Sequence, residues 1–388
     1  MRLQDLNASD ISICILGFGK EGQAALRAVE RHAPDATIFL ADGNPLFAHT
    51  EYPVIAGPTY LEEVDRGHFS LIIKSPGIPP QPIFSTWGKR LTSGTQLFQD
   101  SIAGTGAIVI GVTGSKGKST TASLIFAMLQ AGGKDTHLIG NIGVPALDFI
   151  DHAKKNTIFV QEMSSYQLMD LTHSPQIAVV TSFFPEHLDY HGSLEAYRDA
   201  KTHITRFQKP EDIVFYSAAS AGATAIAAES PGTRVAIGTD DCPVALAETQ
   251  LIGEHNRGNA ALACAVARHA GIDASICAEA LRAFKPLPHR LQRVGTFHGI
   301  EWIDDAISTT PESTIAALDA LGEGVRTIIL GGQDRGNDFA SLAKPRPTRN
   351  CKAKFASANI TPTKFACAII CPCNPPSAWN IAAKTSGR

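Results

Sequence analysis

The alternation of apolar and polar positions divides the chain into three successive blocks of strand, turn and helix. The first opens on the apolar run Ile11-Ser12-Ile13-Cys14-Ile15-Leu16, which predicts a buried strand. The turn Gly17-Phe18-Gly19-Lys20-Glu21-Gly22 follows, then a helical stretch from Gln23 to Arg31 and a second strand Thr37-Ile38-Phe39-Leu40 ending at Ala41-Asp42. A glycine turn after a strand, with an acid 20 residues beyond Gly22, suggests a dinucleotide site, and the same physics at a helix N-terminus would hold any nucleotide diphosphate. Asp42 can accept from a ribose or a base N–H, or can simply be a solvated strand-end acid. A further strand, Leu71-Ile72-Ile73-Lys74, runs into Ser75-Pro76-Gly77-Ile78-Pro79-Pro80, a rigid loop placed where α/β sheets bind ligands.

The middle block begins with Ile108-Val109-Ile110-Gly111-Val112, a strand. It enters Thr113-Gly114-Ser115-Lys116-Gly117-Lys118-Ser119-Thr120-Thr121 and the helical run Ala122 to Leu129. Small residues let backbone N–H groups approach a phosphate, Lys118 can reach the outer phosphates, and the Ser119 or Thr120 hydroxyl can ligate Mg²⁺. The pattern departs from G-x-x-x-x-G-K-[ST], because Val112 stands in the first glycine position. The loop Gly140-Asn141-Ile142-Gly143-Val144-Pro145 exposes Asn141. Two more strands, Thr157 to Glu162 and Ile177 to Thr181, deliver Glu162 and, after Pro185-Glu186, His187. Carboxylate, hydroxyl and imidazole near a triphosphate suit Mg²⁺ or Mn²⁺, and no cysteine is near to suggest zinc. Ser193 to Phe207 is an amphipathic helix on which Lys201 reads as a solvated lysine. Asn256 and Asn259 share one face of a helix start, where amides read a base edge or cap the helix. Pro286 to Leu291 reads as a linker from which Arg290 can bridge toward phosphate.

In the third block, the strand Gly299 to Asp305 delivers two acids. Glu312 to Leu321 reads as a helix, and Arg326 to Leu330 as a strand ending in Gly331-Gly332-Gln333-Asp334-Arg335. From Pro345 onward the period is lost. Cys351, Cys367, Cys371 and Cys373 are spaced too tightly at Cys371-Pro372-Cys373 for a zinc knuckle. The tail reads as irregular, as though replaced or out of frame.

Composition narrows the function classes. At 388 residues, 44% apolar and 18% charged, the chain is long enough for several domains and has the balance of a soluble globular protein. A net charge of -3 leaves no basic footprint for nucleic acid or an anionic membrane. The uncharged run Phe365 to Ala383 is interrupted by three prolines and makes no spanning helix. The start of the chain has no apolar leader, and the eight cysteines follow no disulfide spacing before residue 350, so a cytoplasmic location is expected. The fold class expected is α/β: a Rossmann-like N-terminal domain over 1–104, a central P-loop ATPase-type parallel-sheet domain over 105–294, the start of a Rossmann-like domain over 295–344 and an irregular tail over 345–388.

Several motifs occur together in one order: Gly17 to Gly22, Ser75-Pro76-Gly77, Gly114 to Thr120, Gly140 to Gly143, Glu162 to Leu168, His187-Leu188-Asp189, Tyr197 to Lys201, His255-Asn256 to Asn259 and Leu287 to Arg290. The set resembles the Mur ligase family, and most of all its branch that adds D-glutamate to UDP-N-acetylmuramoyl-L-alanine. The resemblance implies a UDP-sugar site at Gly17, Phe18, Gly19, Lys20, Asp42, Ser75, Pro76, Gly77, Asn141 and Ser164, with Asp42 on the uracil. It implies ATP at Gly114, Ser115, Lys116, Gly117, Lys118, Ser119, Thr120, Asn256, Asn259, Arg290 and Asp305. Magnesium would meet Ser119, Glu162, His187 and Lys201, the last as a carbamate, with Lys118, His187 and Lys201 catalytic. Arg335 and Thr309 would serve the incoming amino acid, and a monomer is expected. Two features depart from the family: Asp305-Ala306-Ile307 stands where it has an aspartate-serine-lysine triplet, and nothing after Phe339 matches its last stretch. Other branches of the family, a nucleotide-binding protein without turnover, and a nicotinamide-dependent oxidoreductase are the competing readings.

Overall fold

The computed structural model describes residues 2–6, 11–44, 51–308, 310–325, 327–331, 342, 352–355 and 366–372. The chain divides into two compact units, Met1–Pro243 with Gly258–Leu281, and Val244–Arg257 with Arg282–Arg388.

The first unit carries two parallel sheets. One is built from β1 (Ser12–Leu16), β2 (Thr37–Asp42), β3 (Val54–Ala56), β4 (Leu71–Lys74) and β5 (Leu91–Ser93), in the order β3-β2-β1-β4-β5. The other is built from β6 (Ile108–Thr113), β7 (Thr136–Gly140), β8 (Ile158–Glu162), β9 (Ile177–Val180), β10 (Ile213–Ser217) and β11 (Thr233–Ile237), in the order β11-β10-β9-β6-β8-β7. Strands covered on both faces read as unbroken apolar runs, and β4, β8 and β9 are buried along their whole length. In each sheet the chain order reverses at a central strand. The crevice between β1 and β4 lies at one switch point, and that between β6 and β9 at the other.

One apolar core joins the two sheets of this unit. It runs from Ile13, Ile15 and Ile73 through Leu97, Phe98, Leu147 and Ile150 to Val109, Phe159 and Ile204. Phe98 and Phe159 meet edge to face at 5.2 Å. Polar ties rim that core. Arg27 grips Asp148 with two hydrogen bonds of 2.9 and 2.7 Å, Gln167 Nε2 donates to Glu21 Oε1 at 3.0 Å, and the buried Lys74 ammonium lies 2.9 Å from Asp170.

The second unit has a mixed sheet of β12 (Gln292–Phe297), β13 (Ile300–Asp304), β14 (Thr327–Gly331), β15 (Lys352–Phe355) and β16 (Ala366–Pro372), ordered β12-β13-β16-β14-β15. Leu291, Ile303, Leu318, Ile328 and Leu330 form its core with the helix Pro311–Leu321. Two strands therefore lie in the stretch that the sequence pattern leaves irregular. The run Ala366-Cys367-Ala368-Ile369-Ile370-Cys371 is apolar enough for a central strand, and it pairs antiparallel with both β13 and β14. That pairing is long-range and leaves no local period to read. Among the described residues no helix is long and apolar enough to cross a membrane.

Candidate active site

The turn after β6 is held by the end of β9. Ser115 N donates to Ser182 O at 2.9 Å, Lys116 N to Ser182 Oγ at 2.9 Å, and the Thr181 hydroxyl to Lys116 O. Gly114 has φ +152°, and a Cβ there would sit 2.0 Å from Thr181 Oγ1. Asn259 closes the other side: a Cβ on Gly117 would lie 2.4 Å from its Oδ1. The helix Lys118–Ala131 starts at this point, with Ser119 and Thr120 nearly buried in its first turn and no side-chain cap on its N–H groups. Lys118 Nζ donates to Gly114 O at 3.0 Å and Ser115 O at 2.9 Å. A cation thus folds over a backbone nest at a helix N-terminus, a place suited to phosphate.

Lys201, read from its own pattern as solvated, is 1% exposed. It lies on the inward face of the helix Leu194–Arg206, which Ser193 caps. Its Nζ donates to Gly114 O at 2.9 Å and stands 5.0 Å over the Tyr197 ring. Burial pushes this amine well below its ordinary 10.5, Lys118 acts in the same direction, and Glu186 and Glu162 oppose them. Glu162 ends β8 and is buried. Its Oε1 accepts from Asn141 Nδ2 at 2.9 Å, while Oε2 is buried without a hydrogen-bond partner. His187 has a left-handed backbone, φ +56°, at the head of the helix Leu188–His191. Desolvation lowers its pKa below 6.5, with Lys118 and Lys201 adding to the effect and Glu186, ion-paired to Lys116, opposing it. Lys118, Lys201, Glu162 and His187 therefore act electrostatically as one cluster at the C-terminal ends of β6, β8 and β9.

A second crevice lies at the switch point of the first sheet. Asp42 accepts from Phe18 N at 2.8 Å and Asn44 N at 2.9 Å, so its carboxylate shapes the glycine turn. Ser75 Oγ donates to Gly17 O at 2.6 Å and joins that turn to the loop after β4. The helix Lys20–His32 begins at Gly19 without a side-chain cap. Ser164 caps the helix Ser165–Leu168 in a capping box with Gln167.

Asn256, Arg290 and Asp305 belong to the second unit. Asn256 Nδ2 donates to Ile252 O at 2.8 Å. Asp305 is buried, accepts from Leu291 N at 3.1 Å and from the Ser308 hydroxyl, and is held above its ordinary 3.8 by burial. Asn256 and Asn259 lie three residues apart on the helix Glu254–His269, and the division between the units falls within that helix, after Arg257. Thr309 and Arg335 lie outside the described residues.

Pattern reading gave no role to Thr181, Ser182, Glu186, Tyr190 or Tyr197. Tyr197 Oη meets Ser115 Oγ at 3.1 Å, and the Tyr166 ring lies tilted against Tyr190 at 4.0 Å and edge-on to His187 at 5.1 Å. The signal available was the density of aromatic and imidazole residues from Phe183 to Tyr197.

Two parallel sheets with switch-point crevices, one carrying a lysine-headed glycine loop and a buried carboxylate, define an α/β enzyme that handles nucleotide phosphates. Residues 112–241 match the Mur ligase middle domain. The UDP-N-acetylmuramoyl-L-alanine–L-glutamate ligase of Salinispora tropica is 35% identical over 374 residues, 88% of this chain and 81% of that protein. The protein of the same name from a Micromonospora species is 36% identical over 375 residues, 88% and 80% of the two chains. In fold, the MurF ligase of Thermotoga maritima in complex with ADP matches with a TM-score of 0.52 at 15% identity, over 87% of this chain and 79% of that one. The chain belongs to the Mur ligase family, whose members form amide bonds at the expense of ATP in peptidoglycan synthesis.

Proposed function

We propose that this ligase joins glutamate to the alanyl carboxylate of UDP-N-acetylmuramoyl-L-alanine in the cytoplasm. The UDP-sugar lies along Gly17, Phe18, Gly19, Lys20, Asp42 and Ser75-Pro76-Gly77, with Asn141 and Ser164 toward its peptide end. ATP lies on Gly114 to Thr120 with Asn259, and the family resemblance assigns Asn256, Arg290 and Asp305 to the nucleotide as well. Residues 1–104, 105–294 and 295–344 are taken as the sugar, ATP and amino-acid domains, with Arg335 and Thr309 in the last. The observation that carries this reading is the meeting of Lys118, Lys201 and Glu162 around the Gly114 turn.

A free carboxylate is a poor electrophile. Transfer of the ATP γ-phosphoryl group to it gives an acyl phosphate and releases ADP. The neutral glutamate amine then attacks the acyl carbon and gives up a proton, and phosphate departs with the electron pair of the cleaved C–O bond. Lys118 and the helix N-terminus offset the charge that develops on the transferred group, and the two crevices align the reacting oxygens. Magnesium fits the donor set: Glu162 has a buried oxygen without a partner, and Ser119 and His187 supply hydroxyl and imidazole. Among the described residues no three His, Cys, Asp or Glu converge on one metal position. A cation here would therefore share its coordination with substrate phosphate. When bound, it neutralises the phosphate oxygens. The burial that disfavours the Lys201 ammonium leaves the amine free to take up carbon dioxide as a carbamate, the form the family resemblance implies.

Lys118→Ala is expected to abolish ATP-dependent phosphate release while leaving UDP-sugar affinity within about twofold. Loss of both in a folded variant would refute the assignment of the two crevices. A second reading concerns the hand of the amino acid. The motif set resembles the D-glutamate-adding branch, whereas the relatives above are named for L-glutamate, and that observation favours L. Phosphate release with each enantiomer in turn separates the two.

A further inference from the structure

The loop Ser75–Ile78 is a tight turn closed by Ile78 N donating to Ser75 O at 3.2 Å. One side of it meets the glycine turn through Ser75 Oγ. The other side is fastened to the second sheet's half of the unit. Tyr190 Oη shares its proton between Pro76 O at 2.7 Å and Ile78 O at 2.8 Å. Lys74, immediately before the turn, is paired with Asp170. Burial, with the nearby Asp170 carboxylate, raises the Tyr190 pKa and keeps the hydroxyl a donor. Tyr190 lies on the short helix Leu188–His191 that starts at His187, and its ring packs on Tyr166.

We propose that Tyr190 is a positioning residue that registers the UDP-sugar loop against the His187 helix, so that sugar affinity depends on a hydroxyl contributed by the phosphate-handling half of the unit. This inference rests on the reading of Ser75–Ile78 as part of the sugar site. Two carbonyls converging on one hydroxyl fix both the position and the tilt of the turn, and the paired Lys74 anchors its start. A small displacement of the His187 helix is thereby passed to the sugar crevice, and by reciprocity a bound sugar biases the His187 helix.

The test is Tyr190→Phe, which keeps the ring contact with Tyr166 and removes only Oη. Calorimetric titration with UDP-N-acetylmuramoyl-L-alanine is expected to show affinity weakened about fivefold to tenfold, the scale of one net hydrogen bond. The KM for ATP is expected to stay within roughly twofold of the parent. Asp170→Asn, which leaves the tyrosine in place, is expected to weaken the sugar in the same direction by a smaller factor. Unchanged sugar affinity in Tyr190→Phe overturns the inference, and so does an equal rise in the KM for ATP, which would mark general damage. Absence of binding by the parent protein overturns the sugar-site reading itself, and this inference with it.

Discussion

Replacing Gly114 with alanine tests whether the phosphate loop is built against the end of β9. An added Cβ would stand 2.0 Å from Thr181 Oγ1, 2.9 Å from Ser182 N and 3.0 Å from Ser182 O, at a φ of +152°. The threonine hydroxyl can rotate away, at the loss of its bond to Lys116 O, about 1 kcal/mol. The serine backbone cannot move without disturbing Ser115 N donating to Ser182 O. Holding an alanine at this φ costs about 1–3 kcal/mol more. The sum is ~2–4 kcal/mol, a large share of the ~5–15 kcal/mol typical of a folded protein. Urea unfolding monitored by fluorescence reads it directly. The cycle with Thr181→Ala separates the two contributions: removing Oγ1 relieves the side-chain clash and leaves the backbone strain, so the double variant recovers ~1 kcal/mol relative to additivity. ATP affinity falls in Gly114→Ala, because the carbonyl that accepts from both Lys118 and Lys201 moves. A variant within ~0.5 kcal/mol of the parent, with ATP affinity intact, would refute this packing of the loop.

Phe98→Ala removes a fully buried ring from the core shared by the two sheets and is expected to cost ~3–5 kcal/mol, measured as a lower urea midpoint; a change below ~1 kcal/mol would contradict the shared core. Stability is also expected to fall with acidification from neutral pH toward about 5.5. Burial lowers the pKa of His203 below 6.5, and burial with the neighbouring His187 and Lys201 lowers that of His191 to about 4, so the unfolded chain binds these protons first. Burial raises the carboxyl pKa values of Glu21, Asp212 and Asp305 above the ordinary 4.5 and 3.8, a contribution of opposite sign that favours the folded state as pH falls through the raised values. A melting temperature that is flat or rising between pH 7.5 and about 6 would contradict the sign.

What the sequence made legible is local. The glycine turn at Gly17, the lysine-headed loop at Gly114 to Thr120 and the apolar strands feeding them depend on neighbours within a few residues, so composition and period suffice to find them. The burial of Lys201 was not legible, because its helix is amphipathic by pattern and only packing over Tyr197 turns the amine inward. The structural use of Asp42 depends on Phe18 N, which the β1–β2 register brings to it across 24 residues. Tyr190 donates to carbonyls 112 and 114 residues away, and nothing near it in the sequence signals that. In β16 an apolar run becomes a central strand through partners that precede it by dozens of residues.

The shared core also limits how the two crevices of the first unit can work. Ile13 and Ile15 of β1 and Val109 of β6 belong to one buried cluster, with Leu97, Phe98 and Leu147 also in it. Swinging one sheet against the other would expose such side chains, at roughly 1.5–3 kcal/mol for each large residue returned to water. It would also part Arg27 from Asp148 and Lys74 from Asp170. The glycine turn after β1 and the phosphate loop after β6 are therefore parts of one rigid body. Adjustment between them falls to the short segments that lie on that body: the Ser75–Ile78 turn, the His187 helix and the Asn141 loop. Tyr190 joins two of these segments through the Pro76 and Ile78 carbonyls, and Asn141 holds the third to one Glu162 oxygen. A shift that moves the turn and the His187 helix together keeps the Tyr190 bonds, whereas a shift of one alone breaks them at about 1 kcal/mol each, so the two segments follow the phosphoryl group as a pair.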